Sequence, residues 1–197
     1  MGLRKFERRV ADAALARDLR LQLGDRALQQ FLADVWWGDL DVLLLDLPPG
    51  TGDVAISIAQ LLPNAEILIV TTPQLAAAEV AERAGAIATQ THQQVVGVIE
   101  NMYWLELPDG SRMEIFGSGG GEAVSDALTK TLGARVPVLG QIPLDMRLRE
   151  CGDAGAPIVL TEPESPAAQA LTRIADGLAS RQRGLSGMSL GLTPVKR

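Results

Sequence analysis

Cysteine is almost missing from this 197-residue chain, with Cys151 its one thiol. An internal disulfide is therefore excluded, and so is a four-thiolate metal site built within one chain. Histidine is equally scarce. His92, between "ATQT" and "QQVVG", is the one imidazole and reads as a solvated residue or local cap at a helix end. Cys151, in "RLRECGDAG", reads as a bystander thiol. Aromatic residues make up 4 % and do not interleave with basic ones. Together with a net charge of −6, this speaks against a general nucleic-acid surface. No run approaches the roughly 18 apolar residues of a membrane span. The first residues hold no long apolar core of the secretory kind, so a cytoplasmic location is the expectation.

What is present suits one domain with a small appendage. Residues 1–24 place Leu3, Phe6, Val10 and Ala14 at helical spacing, with Arg4, Lys5, Arg8 and Arg9 crowding the first turns. A surface helix with a solvated charged side is the favoured reading. A membrane- or nucleic-acid-binding amphipathic helix is the other. A domain over 25–180 follows, then a Gly/Ser-rich tail, 181–197, ending in basic residues and expected to be flexible.

Within 25–180 the pattern alternates. "DRALQQFLADVW" (25–36) is helical in spacing, and Asp41 to Leu45 is a nearly all-apolar strand of the kind buried on both faces. "DVAISIAQLL" (53–62) predicts a helix and "AEILIV" (65–70) a strand. A helix follows, with Thr72 as cap and Pro73 in its first turn. "QVVGVIEN" (94–101) is a third strand, and Pro108, Asp109 and Gly110 mark a hairpin within 103–116. A glycine-rich entry into a helix, a fourth strand in "VPVLGQIP", a fifth in "APIVL" and a helix from about Pro166 to Ser180 complete the series. Strands alternating with helices predict an open, mostly parallel α/β sheet covered on both faces.

Chemistry concentrates in "DVLLLDLPPGTGD", residues 41–53. In such a sheet, ligands gather at the C-terminal ends of strands, where Asp46 falls. A carboxylate there can hold Mg²⁺ against phosphate oxygens, directly or through water. Pro48 and Pro49 stiffen the next step, Gly50 and Gly52 permit close approach, and Asp53 is placed to orient a water or sense a γ-phosphate. An ordinary strand end followed by a turn is the competing reading. A full phosphate loop, G-x-x-x-x-G-K-S/T, has no match: Lys5, Lys130 and Lys196 follow no suitable glycine loop. "GSGGGEA" (117–123) has Glu122 where a phosphate loop would want lysine. A close backbone turn, or packing against a neighbouring element, is its better explanation.

"DVLLLDLPPGTGD", "VTTPQ", "GVIENM", "EIFGSGGGEAV" and "LGQIPLDMRLRECGDAGAP" occur in this order between about Ala27 and Ser180. Together they resemble the Mrp/NBP-type iron–sulfur cluster carrier ATPases of the MinD/ParA branch of P-loop NTPases. The resemblance implies a homodimeric ATP-binding protein that carries a bridging 4Fe–4S cluster to apoproteins. By that resemblance Asp46 is the Walker B aspartate and Mg²⁺ ligand. Pro49, Gly50, Thr51, Gly52 and Asp53 form the second switch segment, Asp53 being the candidate catalytic residue. Asn101 contacts adenine, and Pro143 and Asp145 lie beside it.

Two departures bear on function. The family's N-terminal strand, its lysine-rich KGGVGKS-like phosphate loop and its first switch aspartate have no counterpart, and residues 1–24 do not resemble them. The expectation is a partial P-loop NTPase-like fold lacking that strand and loop, as in a truncated copy or a chain that needs an intact family member. In addition, Leu107 and Asp109 stand about where family members carry a C-P-x-C pair. Leucine cannot ligate iron, so the ordinary cluster site is absent. Two readings follow. One is an Mrp-like ATP-binding protein of iron–sulfur cluster assembly, impaired alone. The other is a non-enzymatic scaffold or partner-binding remnant.

Overall fold

The computed structural model describes residues 30, 32, 34–36, 42–47, 52–74 and 77–181. Residues 1–24 and the tail 182–197, with the helix and membrane-contact readings made for the former, lie outside the described residues.

The sheet is organised around the apolar run that follows Gln94. Strand β2, Val95–Glu106, is buried from Val95 to Glu100. A strand buried this way needs a parallel neighbour on each edge and helices on each face. β1, Ile67–Thr71, pairs with it in parallel on one edge. On the other edge it pairs in parallel with β4, Val138–Leu144. Beyond a register irregularity after Asn101, β2 runs on into a hairpin with the two-residue antiparallel strand β3, Arg112–Met113.

Helices cover both faces in the alternation a strand imposes. Ile69 and Val98 face α2, Ala77–Thr91, and α3, Gly120–Leu132, in a core with Ala81, Ala84, Ala88, Val124 and Leu128. Leu68, Ile99 and Ile142 face the opposite way, against Ala170 and Ile174 of α6, Pro166–Ala179. Helix α1, Gly52–Leu61, precedes β1. After β4 come α4, Met146–Asp153, and the single turn α5, Ile158–Thr161. These pack under α6 through Cys151, Ile158, Ala167 and Ala168. Ser165 caps α6 by accepting from the Ala168 amide, with Pro166 opening the helix, as N-cap chemistry requires.

Three sequence expectations are corrected. Of the run 41–45 read as a strand, the described residues 42–45 belong to no ladder. A strand is defined by its pairing, and β1, β2, β3 and β4 pair among themselves. "APIVL" is not a fifth strand: Pro157 opens a helical turn that buries Ile158. Thr72 and Pro73 do not start a helix. They form the turn leaving β1 and pack against Gly120, while α2 is described from Ala77.

Candidate functional site

The C-terminal ends of β1, β2 and β4 lie along one side of the sheet, because the three run in parallel. Asn101 pairs in register with Ile142, so Pro143, the next residue on β4, lies close to it along the ladder. Asp145 follows at the end of β4 as the N-cap of α4, accepting from the Arg147 amide at 2.7 Å. Asn101 and Pro143 are thus neighbours across the β2–β4 ladder, with Asp145 two residues further along the chain. Pro143 is buried, while Asn101 and Asp145 are half-buried.

The Asn101 side chain has a defined posture. Its Oδ1 accepts from the Met102 amide at 2.9 Å, which engages the oxygen and leaves the NH₂ as its donor group. Met102 has φ +61°, a left-handed conformation that an unbranched L-residue adopts at a cost. The chain turns there from the buried part of β2 into the hairpin.

Glu100, one residue earlier, is fully buried. Its Oε1 accepts from the Gly121 amide at 2.8 Å, and its Oε2 from Gln141 Nε2 at 2.8 Å. The first contact places a carboxylate on one of the unpaired amides at the N-terminus of α3, where the helix dipole favours an anion. Each bond involving an ionised group is worth about 1.5–3 kcal/mol. A Cβ at Gly121 would lie 3.0 Å from Glu100 Cβ, and one at Gly120 2.3 Å from the Thr72 carbonyl oxygen. Gly120 and Gly121 therefore serve close packing, while Gly117 and Gly119, at φ +81° and +85° with nothing within 4 Å, serve the backbone turn into the helix.

The remaining candidates are placed as follows. Asp46 is exposed in the extended stretch 42–47, and Gly52 and Asp53 lie in the first turn of α1. Pro49, Gly50 and Thr51 lie outside the described residues. Leu107 and Asp109 build a turn. The Leu107 amide donates to the Ser111 carbonyl, and the Asp109 carboxylate accepts from both the amide and the hydroxyl of Ser111. Those bonds hold the Asp109 carboxyl below its ordinary range. Behind the turn, Arg112 stacks on Trp104 with its guanidinium carbon 4.4 Å from the ring centre. Arg147 bridges Glu150 and Glu162, tying α4 to the end of α5. The two carboxylates push its guanidinium further above its usual range.

The donor set separates two kinds of ligand. Carboxylates such as that of Asp46 are the hard oxygen donors that Mg²⁺ takes. An iron–sulfur cluster needs soft thiolates, and among the described residues no group of three or more His, Cys, Asp and Glu could hold a metal ion. Cys151 is buried, its Sγ 3.5 Å from Thr161 Oγ1. His92 is exposed and terminates α2 at φ +55°, with Gln93 donating back to the Ala88 carbonyl. That is a helix-stop geometry usually given to glycine.

Parallel strands with helices on both faces define an open α/β protein. A family model described as the ParA-type NUBPL iron-transfer P-loop NTPases matches residues 12–179, and the chain belongs to that family. It is 68 % identical over 172 residues to the iron-sulfur cluster carrier protein of Mycobacterium bovis, covering 87 % of this chain and 45 % of the relative. With the Deinococcus radiodurans protein of that name it shares 47 % over 156 residues, 79 % of this chain and 42 % of the relative. The chain thus spans somewhat under half the length of these relatives.

Among solved structures, it is similar to an Archaeoglobus fulgidus nucleotide-binding protein in complex with ADP. The TM-score is 0.58 and the identity 36 %, covering 72 % of this chain and 55 % of the other. The septum site-determining protein MinD of Pyrococcus horikoshii, complexed with Mg-ADP, gives a TM-score of 0.58 at 26 % identity. That match covers 83 % of this chain and 58 % of the other.

Proposed function

We propose that the chain is the nucleotide-responsive portion of an iron–sulfur cluster carrier of the Mrp type, taking part in cluster assembly and transfer to apoproteins in the cytoplasm. The observation that carries this reading is the adjacency of Asn101 and Pro143 across the β2–β4 ladder, with Asp145 two residues further along, in a chain of the iron-transfer P-loop NTPase family. Asn101 NH₂ would meet adenine, with Pro143 and Asp145 flanking it. Asp46 would hold Mg²⁺ against the phosphates. Pro49, Gly50, Thr51 and Gly52 would carry Asp53 as it orients water for in-line attack on the γ-phosphate. The cleavage would drive a rearrangement within a dimer, formed with a second copy or with an intact family member that supplies a phosphate loop and the cluster thiolates.

A second reading, a scaffold without autonomous nucleotide binding, is favoured by one observation. No G-x-x-x-x-G-K-S/T loop occurs in the chain. Such a loop contributes several charge-assisted contacts of roughly 1.5–3 kcal/mol each. Three of them amount to about 4–9 kcal/mol, or more than a thousandfold in affinity.

Titration calorimetry of the folded chain with MgATP separates the two. The expectation for the chain alone is no saturable binding at micromolar concentration, with binding restored on adding an intact family member. A micromolar site in the chain alone, lost in Asp46→Ala and Asn101→Ala, would instead establish phosphate contacts within these 197 residues. No binding under either condition would leave the scaffold reading.

A further inference from the structure

Among the described residues Glu100 is the one buried charged side chain, and neither phosphate chemistry nor cluster carriage uses it. Its hydrogen bonds join three elements at the candidate site. It sits on β2 immediately before Asn101, binds Gln141 two residues before Pro143 on β4, and binds Gly121 in the first turn of α3. The next two residues make the turn that presents Asn101, with Met102 left-handed at φ +61° and its amide on Asn101 Oδ1. A residue in that region stays there only where its surroundings over-determine it. The Glu100 anchor is the last buried, bonded point of β2 before the strain.

We infer that Glu100 is a positioning residue of the nucleotide face: it locks the ends of β2 and β4 to the N-terminus of α3, and so fixes Asn101 in the posture that meets a base. The inference rests on the nucleotide reading for Asn101, but its geometric part is measurable without a nucleotide. Removing the carboxylate leaves the Gly121 amide without its side-chain acceptor and Gln141 Nε2 with only its 3.5 Å contact to Glu122 Oε1, and unties the strands from the helix. Glutamine at position 100 preserves the arrangement, since its oxygen accepts from Gly121 and its NH₂ donates to Gln141 once that amide turns over.

The test uses the full chain and its Glu100→Ala, Glu100→Gln and Gln141→Leu variants, read by residue-resolved amide exchange. In Glu100→Ala and Gln141→Leu the Met102 amide is expected to exchange roughly tenfold faster, the scale of one lost hydrogen bond. Amides of β1 keep their rates, and Glu100→Gln stays near wild type. If Glu100→Ala does not fold, the partly exposed Gln141→Leu change carries the test. Faster exchange at Gly121 with Met102 unchanged would overturn the inference, reducing Glu100 to a helix cap. MgATP titration, alone and with an intact family member, is the second readout. Weakening by Glu100→Ala that matches Asn101→Ala and does not add to it supports positioning. An affinity unchanged by Glu100→Ala but lowered by Asn101→Ala overturns it. If wild type binds no MgATP under either condition, the nucleotide reading fails by itself, and Met102 exchange still decides what Glu100 holds.

Discussion

At the scale of single residues, backbone clearance and dihedral angle decide what is replaceable. A Cβ on Gly120 would sit 2.3 Å from the Thr72 carbonyl oxygen and 2.7 Å from the Pro73 carbonyl carbon. Both are backbone atoms that cannot swing aside, so Gly120→Ala should destabilise the fold by about 2–3 kcal/mol, the upper range for overpacking. Gly152, in α4, has nothing within 4 Å of the same position. Gly152→Ala should therefore be neutral or gain up to about 1 kcal/mol in helix propensity. Urea unfolding of the two variants checks the contrast, and equal midpoints would contradict it. His92 offers a change of the opposite kind. It occupies a left-handed helix stop at φ +55° and is exposed, so His92→Gly should raise stability by up to about 1 kcal/mol in the same experiment. The sequence marked His92 as a solvated residue or local cap and the glycines of 117–123 as a close backbone turn or packing residues. It did not mark Glu100. The available signal was a carboxylate inside "VVGVIEN", a run otherwise apolar up to that point, where burial demands partners. Those partners, Gly121 and Gln141, are 21 and 41 residues away, and local pattern does not reach that far.

At the scale of elements, legibility followed how much each element depends on something outside itself. α6 was readable because its cap, its proline and its apolar stripe are all local. The run at 41–45 and "APIVL" were misread as strands because a short apolar stretch has no shape of its own. A ladder partner makes it a strand, and a proline at its N-cap makes it a helical turn. The hairpin was legible from Pro108, Asp109 and Gly110, and its turn is held by Asp109. That hold has a pH signature with a definite sign. The Asp109 carboxyl is lowered from 3.8 by its bonds to Ser111. Its contribution is fully present above the unfolded value and is lost as pH falls through the lower native value. Protection of the Ser111 amide, corrected for intrinsic exchange, should therefore be equal at pH 7 and pH 5 and fall away only below about pH 4. Asp109→Asn should flatten this dependence, and Asp109→Ala should remove the protection throughout. Protection that disappears already between pH 7 and pH 5 would assign the turn to another group.

At the scale of the whole molecule, the question is whether a cluster could reside on this chain at all. The chain owns one thiol, so a dimer of identical copies offers two where a 4Fe–4S cluster takes four. That thiol is also in the wrong place. Cys151 is 8 % exposed, packed with Ile158, Ala167 and Ala168 under α6. In the hairpin, Leu107 has no atom that ligates iron, and the Asp109 carboxylate is already engaged by Ser111. Anaerobic reconstitution of the chain with ferrous iron and sulfide should therefore yield no bound cluster, with iron content at the level of a thiol-free control. Cys151→Ser should give the same result and lose some stability from the changed packing. A stable cluster abolished by Cys151→Ser would require the opposite physics. The contacts of α4 and α5 with α6 would have to open so that two copies could bring their thiols together, and the cluster's remaining iron sites would need oxygen or exogenous ligands. Such a cluster would make this chain a carrier by itself. Its absence would leave this chain without a cluster of its own, as one buried thiol per copy requires.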